Sequence, residues 1–387
     1  MICDNKYAVC GMRYAVCGKS KIKNRIVVIF VLLLGLLPLQ LTADNSVEDG
    51  EFRAEEYIMD HIVDSYGWHI ITFKRKDISI PLPIILFDQG RLICFMSSKF
   101  HHGTAAYKGY ALGSTKDTKG RIIRLLGEDA NFTGTLEKGR KYASVPVFFD
   151  ISISKNVCAL LISIIILCYI FLSVAKTYKR NPNQAPKGFQ NLIEAVILFI
   201  RDDVAIPLIG AHKYKKYFPY LLTLFFFILL NNLMGLIPVF PGGANVTGNI
   251  AVAMILALIT FFTISFSANK NYWLHIINPP GVPWWLKFPI PLMPLIEFTG
   301  LLTKPFVLMI RLSANVTAGH IIILGFLGLI FILGAITPIA GILVSPVSLL
   351  FYIFMGALEL LVAFIQAFIF TLLTALYIGM AIEETHV

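Results

Sequence analysis

The chain has 387 residues, 57% of them hydrophobic and only 14% charged, with a mean hydropathy of +0.73. That balance excludes an ordinary soluble domain and points to a membrane protein. The net charge of +10 could suggest nucleic acid, but much of the excess sits in one short loop and at the extreme N-terminus, where it reads as membrane topology.

Residues 1–43 read as an export signal. Lys19, Lys21, Lys23 and Arg25 precede the apolar run Ile26–Leu37, and Leu41-Thr42-Ala43 offers a cleavage site. An uncleaved anchor is the alternative, but the apolar run is too short to span a bilayer. Residues 44–156 are polar and read as a small exported α+β domain. A helix is expected over Glu55–Asp64, and strands over Trp68–Phe73, Pro83–Phe87, Arg91–Met96 and Val145–Ile153. The domain is expected to be dispensable for whatever the membrane part conducts. Six cysteines form neither a disulfide framework nor a zinc spacing, and the pair His101-His102 lacks a second ligand cluster, so no metal or cofactor is expected.

Residues 157–387 form the membrane domain, with five spans: Val157–Ala175, Tyr217–Ile237, Ile250–Ala268, Leu292–Gly334 and Val347–Ala381. The last two would extend about 64 and 52 Å, against a hydrocarbon layer of about 30 Å. They must break or lie strongly tilted, and the proline-free stretches beyond Pro305 and Pro346 favour tilt. Between the first two spans the lysine-rich loop 176–216 contains an amphipathic segment, Phe189–Pro207, suited to the membrane interface. This loop and Lys270 and Lys287 of the next are placed in the cytoplasm, whereas 238–248 and 335–346 carry no charge. The N-terminal domain then lies outside, and Glu383-Glu384 inside.

Ionisable residues in such spans carry the functional signal. Arg311 sits far from either end of its run, where a charge costs roughly 2.5 to 3.5 kcal/mol, and too deep to snorkel. Folding the last two spans about the turn Thr337–Gly341 sets Arg311 level with Gln366, and His320 level with Glu359. Glu297, Lys304, Arg311 and Asn315 share one helical face, as do Glu359 and Gln366 on the partner helix; His320 points away from Arg311. An imidazole and a carboxyl at one depth can exchange a proton, whereas a guanidinium cannot lose its own. Singly, each has a structural alternative: His320, Gln366, Asn231 and Asn232 as interhelical hydrogen-bonding groups, Glu359 as a neutral buried acid, Lys304 and Glu297 at the membrane edge.

The segments Leu302-Thr-Lys-Pro-Phe-Val-Leu-Met-Ile-Arg311, Arg311-Leu-Ser-Ala-Asn-Val-Thr-Ala-Gly-His320 and Glu359-Leu-Leu-Val-Ala-Phe-Ile-Gln-Ala-Phe-Ile-Phe370 closely resemble the signature of subunit a of F-type ATP synthases. The likeness runs from about residue 145 to the C-terminus. The N-terminal extension, with Trp68-His-Ile and Ser97-Ser-Lys-Phe-His-His-Gly, resembles the version found in Bacteroidota. His precedes Glu here, as in the mitochondrial form and unlike many bacterial sequences.

The resemblance implies a non-catalytic stator subunit in the bacterial inner membrane, partnered by a c-subunit ring, a b-subunit peripheral stalk and lipid. Arg311 would face the ring's carboxylates, lowering their pKa and keeping two half-channels apart. His320, Glu359, Asn315 and Gln366 would serve the outer half-channel, and Glu297, about 21 Å away along the helix, the inner exit. A sodium-translocating version, a secondary transporter using Arg311 for an anionic substrate, and a passive membrane anchor are the rivals. Paired internal repeats typical of transporters are not seen in the sequence.

Overall fold

The computed structural model describes residues 64–73, 76–113, 118, 120–129, 131–136, 142–147, 149–180, 188–237, 242–277 and 292–382. The expected signal segment, most of the expected helix over Glu55–Asp64, and Glu383-Glu384 lie outside these residues. The chain folds as a β-rich N-terminal region followed by a helical membrane bundle.

Three expected strands form close to the positions read from alternation: β1 (Gly67–Phe73), β3 (Pro83–Asp88) and β4 (Arg91–Met96). β2 (Lys76–Pro81) pairs with β1, and β3 and β4 make a hairpin. The hairpin turns at Gln89 and Gly90, both with positive φ, the geometry that matches strand twist in a two-residue turn. β5 (Ala105–Ala106), β6 (Tyr110–Leu112), β7 (Ile122–Leu125) and β8 (Gly134–Thr135) follow. The strand expected over Val145–Ile153 is two strands. β9 (Ser144–Pro146) pairs with β7, and β10 (Phe149–Asp150) with β3. The Val147 N–H still donates to the Ile122 carbonyl at 3.1 Å before the chain passes to the other sheet.

Among the described residues, five helices are long and apolar enough to cross a membrane. α1 (Lys155–Arg180) is followed by α2 (Phe189–Phe199), a π-helical turn Ile200–Ala205 and α3 (Ile206–Ile209). The expected interfacial segment is therefore helical, with Phe189 and Leu192 exposed and Ile193, Ile200 and Val204 buried. α4 (Tyr214–Leu236) and α5 (Ile250–Ser267) flank a short loop, and Asn249 caps α5 by accepting from the Ala251 N–H at 2.9 Å. α6 (Lys270–Ile277) precedes the two long helices α7 (Leu292–Ile336) and α8 (Pro338–Ile382), each of 45 residues.

Neither long helix breaks: Pro305 lies inside α7 and Pro346 inside α8. At about 67 Å each they exceed the hydrocarbon layer twofold, which only a steep tilt accommodates. The turn between them is shorter than expected. Thr337 alone separates the helices, its hydroxyl accepting from the Ala340 N–H at 3.3 Å, and Pro338 takes the first helical position, where a missing N–H costs nothing. A Cβ on Gly341 would lie 2.8 Å from the Gly334 Cα, so the hairpin closes this tightly only because residue 341 lacks a side chain. Farther along, Phe326 stacks on Phe351 with ring centroids 5.2 Å apart, and the Ser348 hydroxyl donates to the Phe326 carbonyl. Leu221, Phe225 and Ile228 of α4, Leu312 of α7, and Ala367, Phe370 and Ile378 of α8 form the buried centre of the bundle.

Candidate functional site

The antiparallel pairing of α7 and α8 continues into the polar residues. His320 Nδ1 lies 3.0 Å from Glu359 Oε1, with the two side chains 16% and 9% exposed. Gly319 makes the approach possible, since a Cβ there would lie 2.8 Å from the same oxygen. On its other side the imidazole faces α4, where a Cβ on Gly235 would be 3.5 Å from His320 Nε2. The His320–Glu359 contact has ion-pair distance without hydrogen-bond alignment, and both Glu359 oxygens lack a hydrogen-bond partner among the described residues. Buried acceptors with unmet capacity normally recruit water or a proton.

One turn deeper, Asn315 Nδ2 donates to Gln366 Oε1 at 2.9 Å. Gln366 is 2% exposed, and its amide nitrogen has no partner among the described residues. Gln366 therefore bonds Asn315, which lies one turn beyond Arg311 on the same face of α7. Half-buried Arg311 has neither an ion pair nor a hydrogen bond among the described residues. Lys304 Nζ, two turns earlier, sits 4.9 Å from the centre of the Tyr377 ring, a cation–π contact. Half-buried Glu297 lies near Tyr272 of α6, whose phenol is pushed up in pKa by burial and then by that carboxylate.

Several residues of the site carry no strong mark in sequence. Asn232 Nδ2 donates to the Ala363 carbonyl at 3.3 Å, and its Oδ1 accepts from the Thr247 hydroxyl at 2.6 Å. The Ser313 hydroxyl donates to the Gly248 carbonyl at 2.6 Å. The loop between α4 and α5 is thereby tied to α4 and α7, and α4 to α8. Asn232 takes the interhelical hydrogen-bonding role offered as its structural alternative in the sequence, whereas Thr247, Gly248 and Ser313 were marked only by the uncharged loop Gly242-Gly-Ala-Asn-Val-Thr-Gly-Asn249. Among the described residues no group of three or more His, Cys, Asp or Glu side chains is gathered for a metal ion.

Residues 157–379, more than half of the chain, match the ATP synthase A chain family. The chain belongs to that family. It is similar to ATP synthase subunit a of Chloroherpeton thalassium, at 45% identity over 245 residues, 62% of this chain and 69% of that protein. Subunit a 2 of Chlorobaculum tepidum is 47% identical over 239 residues, 60% of this chain and 64% of that protein. Subunit a 2 of Prosthecochloris aestuarii is 48% identical over 239 residues, 60% and 69% of the two chains. The chain spans about two thirds of the length of these curated relatives. Residues 57–143 separately match a domain of unknown function. The family is the non-catalytic membrane-sector subunit of the F-type synthase, so this chain is a membrane-embedded, multi-pass component of that complex rather than its catalyst.

Proposed function

We propose that the α7–α8 hairpin conducts protons between two aqueous half-channels against a rotating c-subunit ring, in the bacterial inner membrane, with a b-subunit stalk holding the subunit still. The N-terminal domain, reached through a cleaved signal, lies in the periplasm, and the C-terminus in the cytoplasm. His320 and Glu359 relay protons in the outer half-channel, assisted by Asn315 and Gln366. Glu297 serves the inner exit. Sodium is the rival cation; an imidazole 3.0 Å from a carboxylate is a proton-exchanging pair, and this supports the proton.

One observation carries the reading. Arg311 is half-buried without a partner among the described residues, on a helix that buries Leu308 and Leu312 beside it and buries none of residues 317–336 beyond it in this chain. Such a charge is tolerated when a second surface supplies its counter-ion, and the carboxylate of a passing ring subunit does so. Beside the guanidinium that carboxylate loses its proton and remains charged, so it cannot slip past still loaded. Each proton crossing 100 mV yields about 2.3 kcal/mol, delivered as rotation. Arg311→Ala in the assembled synthase, reconstituted in vesicles, should abolish proton-driven ATP synthesis and leave hydrolysis by detached heads intact. Normal synthesis would refute the role of Arg311.

A further inference from the structure

The N-terminal domain is joined to the bundle at a specific place. The Asn156 N–H at the start of α1 donates to Asp64 Oδ1 at 3.0 Å, and the Lys155 N–H donates to the Ser65 carbonyl at 2.8 Å. A few residues on, Trp68 of β1 is 3% exposed. It packs with Ala159 of α1 and with Ala244 and Val246 of the α4–α5 loop, backed by Ile80 of β2 and Val252 of α5. Trp68 is thus buried against the membrane helices, not in the separate core that Ile84, Leu86 and Phe100 form within its own domain. An indole is the largest apolar group a chain can place at such a contact, and its burial fixes the small residues around it.

The loop beneath Trp68 reaches His320. A Cβ on Gly235 of α4 would meet His320 Nε2 at 3.5 Å and the Ala244 carbonyl oxygen at 3.6 Å, so both atoms face one small space. His320 Nδ1 faces Glu359, and the Ala244 carbonyl is an acceptor on the other side of the ring. Which imidazole nitrogen carries a proton is set by what the other one faces. A carbonyl exerts that influence directly or through one water. Farther along the loop, the Gly248 carbonyl accepts from the Ser313 and Thr317 hydroxyls of α7 at 2.6 and 3.4 Å. The loop is folded tightly on itself. A Cβ on Gly242 would lie 2.3 Å from the Ile237 carbonyl oxygen, and the Gly248 N–H donates to Asn245 Oδ1 at 2.9 Å. A displacement at Ala244 is therefore not absorbed locally.

We propose that Trp68 is a positioning residue for proton exchange at His320. By clamping the α4–α5 loop between the N-terminal domain and α1, it holds the Ala244 carbonyl beside Nε2. The proposal rests on the reading of His320 and Glu359 as a proton-exchanging pair. It departs from the expectation that the N-terminal domain is dispensable for conduction. It also gives residues 57–143, which match a domain of unknown function, a task within the synthase.

The test uses the complete synthase in proteoliposomes and three variants. Trp68→Ala removes the clamp. Ala159→Leu, at a position 1% exposed, wedges the clamp open from the α1 side and leaves the core of the N-terminal domain untouched. Trp68→Phe keeps an aromatic ring in place. Proton-driven ATP synthesis per assembled complex should fall about tenfold in the first two, the cost of a reacting group misplaced by a fraction of an ångström, and stay near normal in Trp68→Phe. His320 is read directly by carbethoxylation with diethyl pyrocarbonate, resolved by peptide mass spectrometry. Its rate should rise several-fold in Trp68→Ala and Ala159→Leu as the loop leaves Nε2. Amide hydrogen exchange over residues 242–249 should quicken with it while α7 and α8 stay protected. A clamp with a purely structural duty would lower the amount of assembled complex and leave turnover per complex and His320 reactivity unchanged, which would overturn the proposal. A loss in Trp68→Phe equal to that in Trp68→Ala would overturn it too. An inactive Arg311→Ala alongside either result leaves the proton path standing, whereas an active Arg311→Ala removes the reading beneath both.

Discussion

α4 and α7 both carry polar residues through the apolar layer, but their polar groups end differently. In α4 half of the most apolar stretch is buried in this chain. Its Asn232 is engaged between Ala363 and Thr247, and Asn231 Nδ2 donates to the Phe227 carbonyl at 2.8 Å, although the buried Asn231 Oδ1 has no hydrogen-bond partner among the described residues. In α7 residues 317–336 bury nothing in this chain, and Arg311, which precedes them beside the buried Leu308 and Leu312, is left without a partner among the described residues. A polar group satisfied inside the chain holds helices together. One held at depth and unsatisfied awaits a group from elsewhere. Within α7 the same difference recurs: Asn315 is paired with Gln366, and Arg311 has no partner among the described residues.

The comparison can be broken by changing each kind separately. The largest effect beyond loss of Arg311 itself is expected from Gly319→Val. Its added carbons displace the Glu359 carboxyl from His320, and because the displaced atoms end a flexible side chain the complex still assembles. Proton-driven synthesis per assembled complex should fall roughly tenfold to a hundredfold, the cost of a reacting group misplaced by about 1 Å; an unchanged rate would show that the close approach has no functional weight. A smaller loss is expected when His320→Glu and Glu359→His are combined, because the pair survives in reversed order. Synthesis should be less impaired than in either His320→Leu or Glu359→Leu, and a double variant as damaged as both singles together would argue against a pair. The smallest effect on transport belongs to α4. Asn232→Leu leaves the Thr247 hydroxyl and the Ala363 carbonyl without their partner, at about 1 to 3 kcal/mol. Thermal unfolding of the complex should shift downward while the turnover of intact complexes stays near normal; a selective loss of turnover would place Asn232 on the proton path instead.

The five spans, the tilt of the last two and the matched depth of His320 and Glu359 were legible because each depends on a local property. Apolar length sets a span, and a fixed rise per residue sets depth along a helix. Boundaries were less legible. The final helix begins at Pro338 rather than Val347, since proline reads as a turn signal but also suits a first helical position. Arg311 and Asn315 share a face and lie one turn apart, so depth alone favoured Arg311 opposite Gln366, whereas Asn315 makes the bond.

A charge, an imidazole and a carboxyl on two long paired apolar helices could be read from the residues alone, because hydropathy and helical period are written residue by residue. Which of them touch is settled by packing. Gly319 against Glu359, Gly334 against Gly341, and Asp64 at the start of α1 are meetings of distant segments. Their distances follow from how closely two backbones approach, and that closeness belongs to the packed pair rather than to either segment alone.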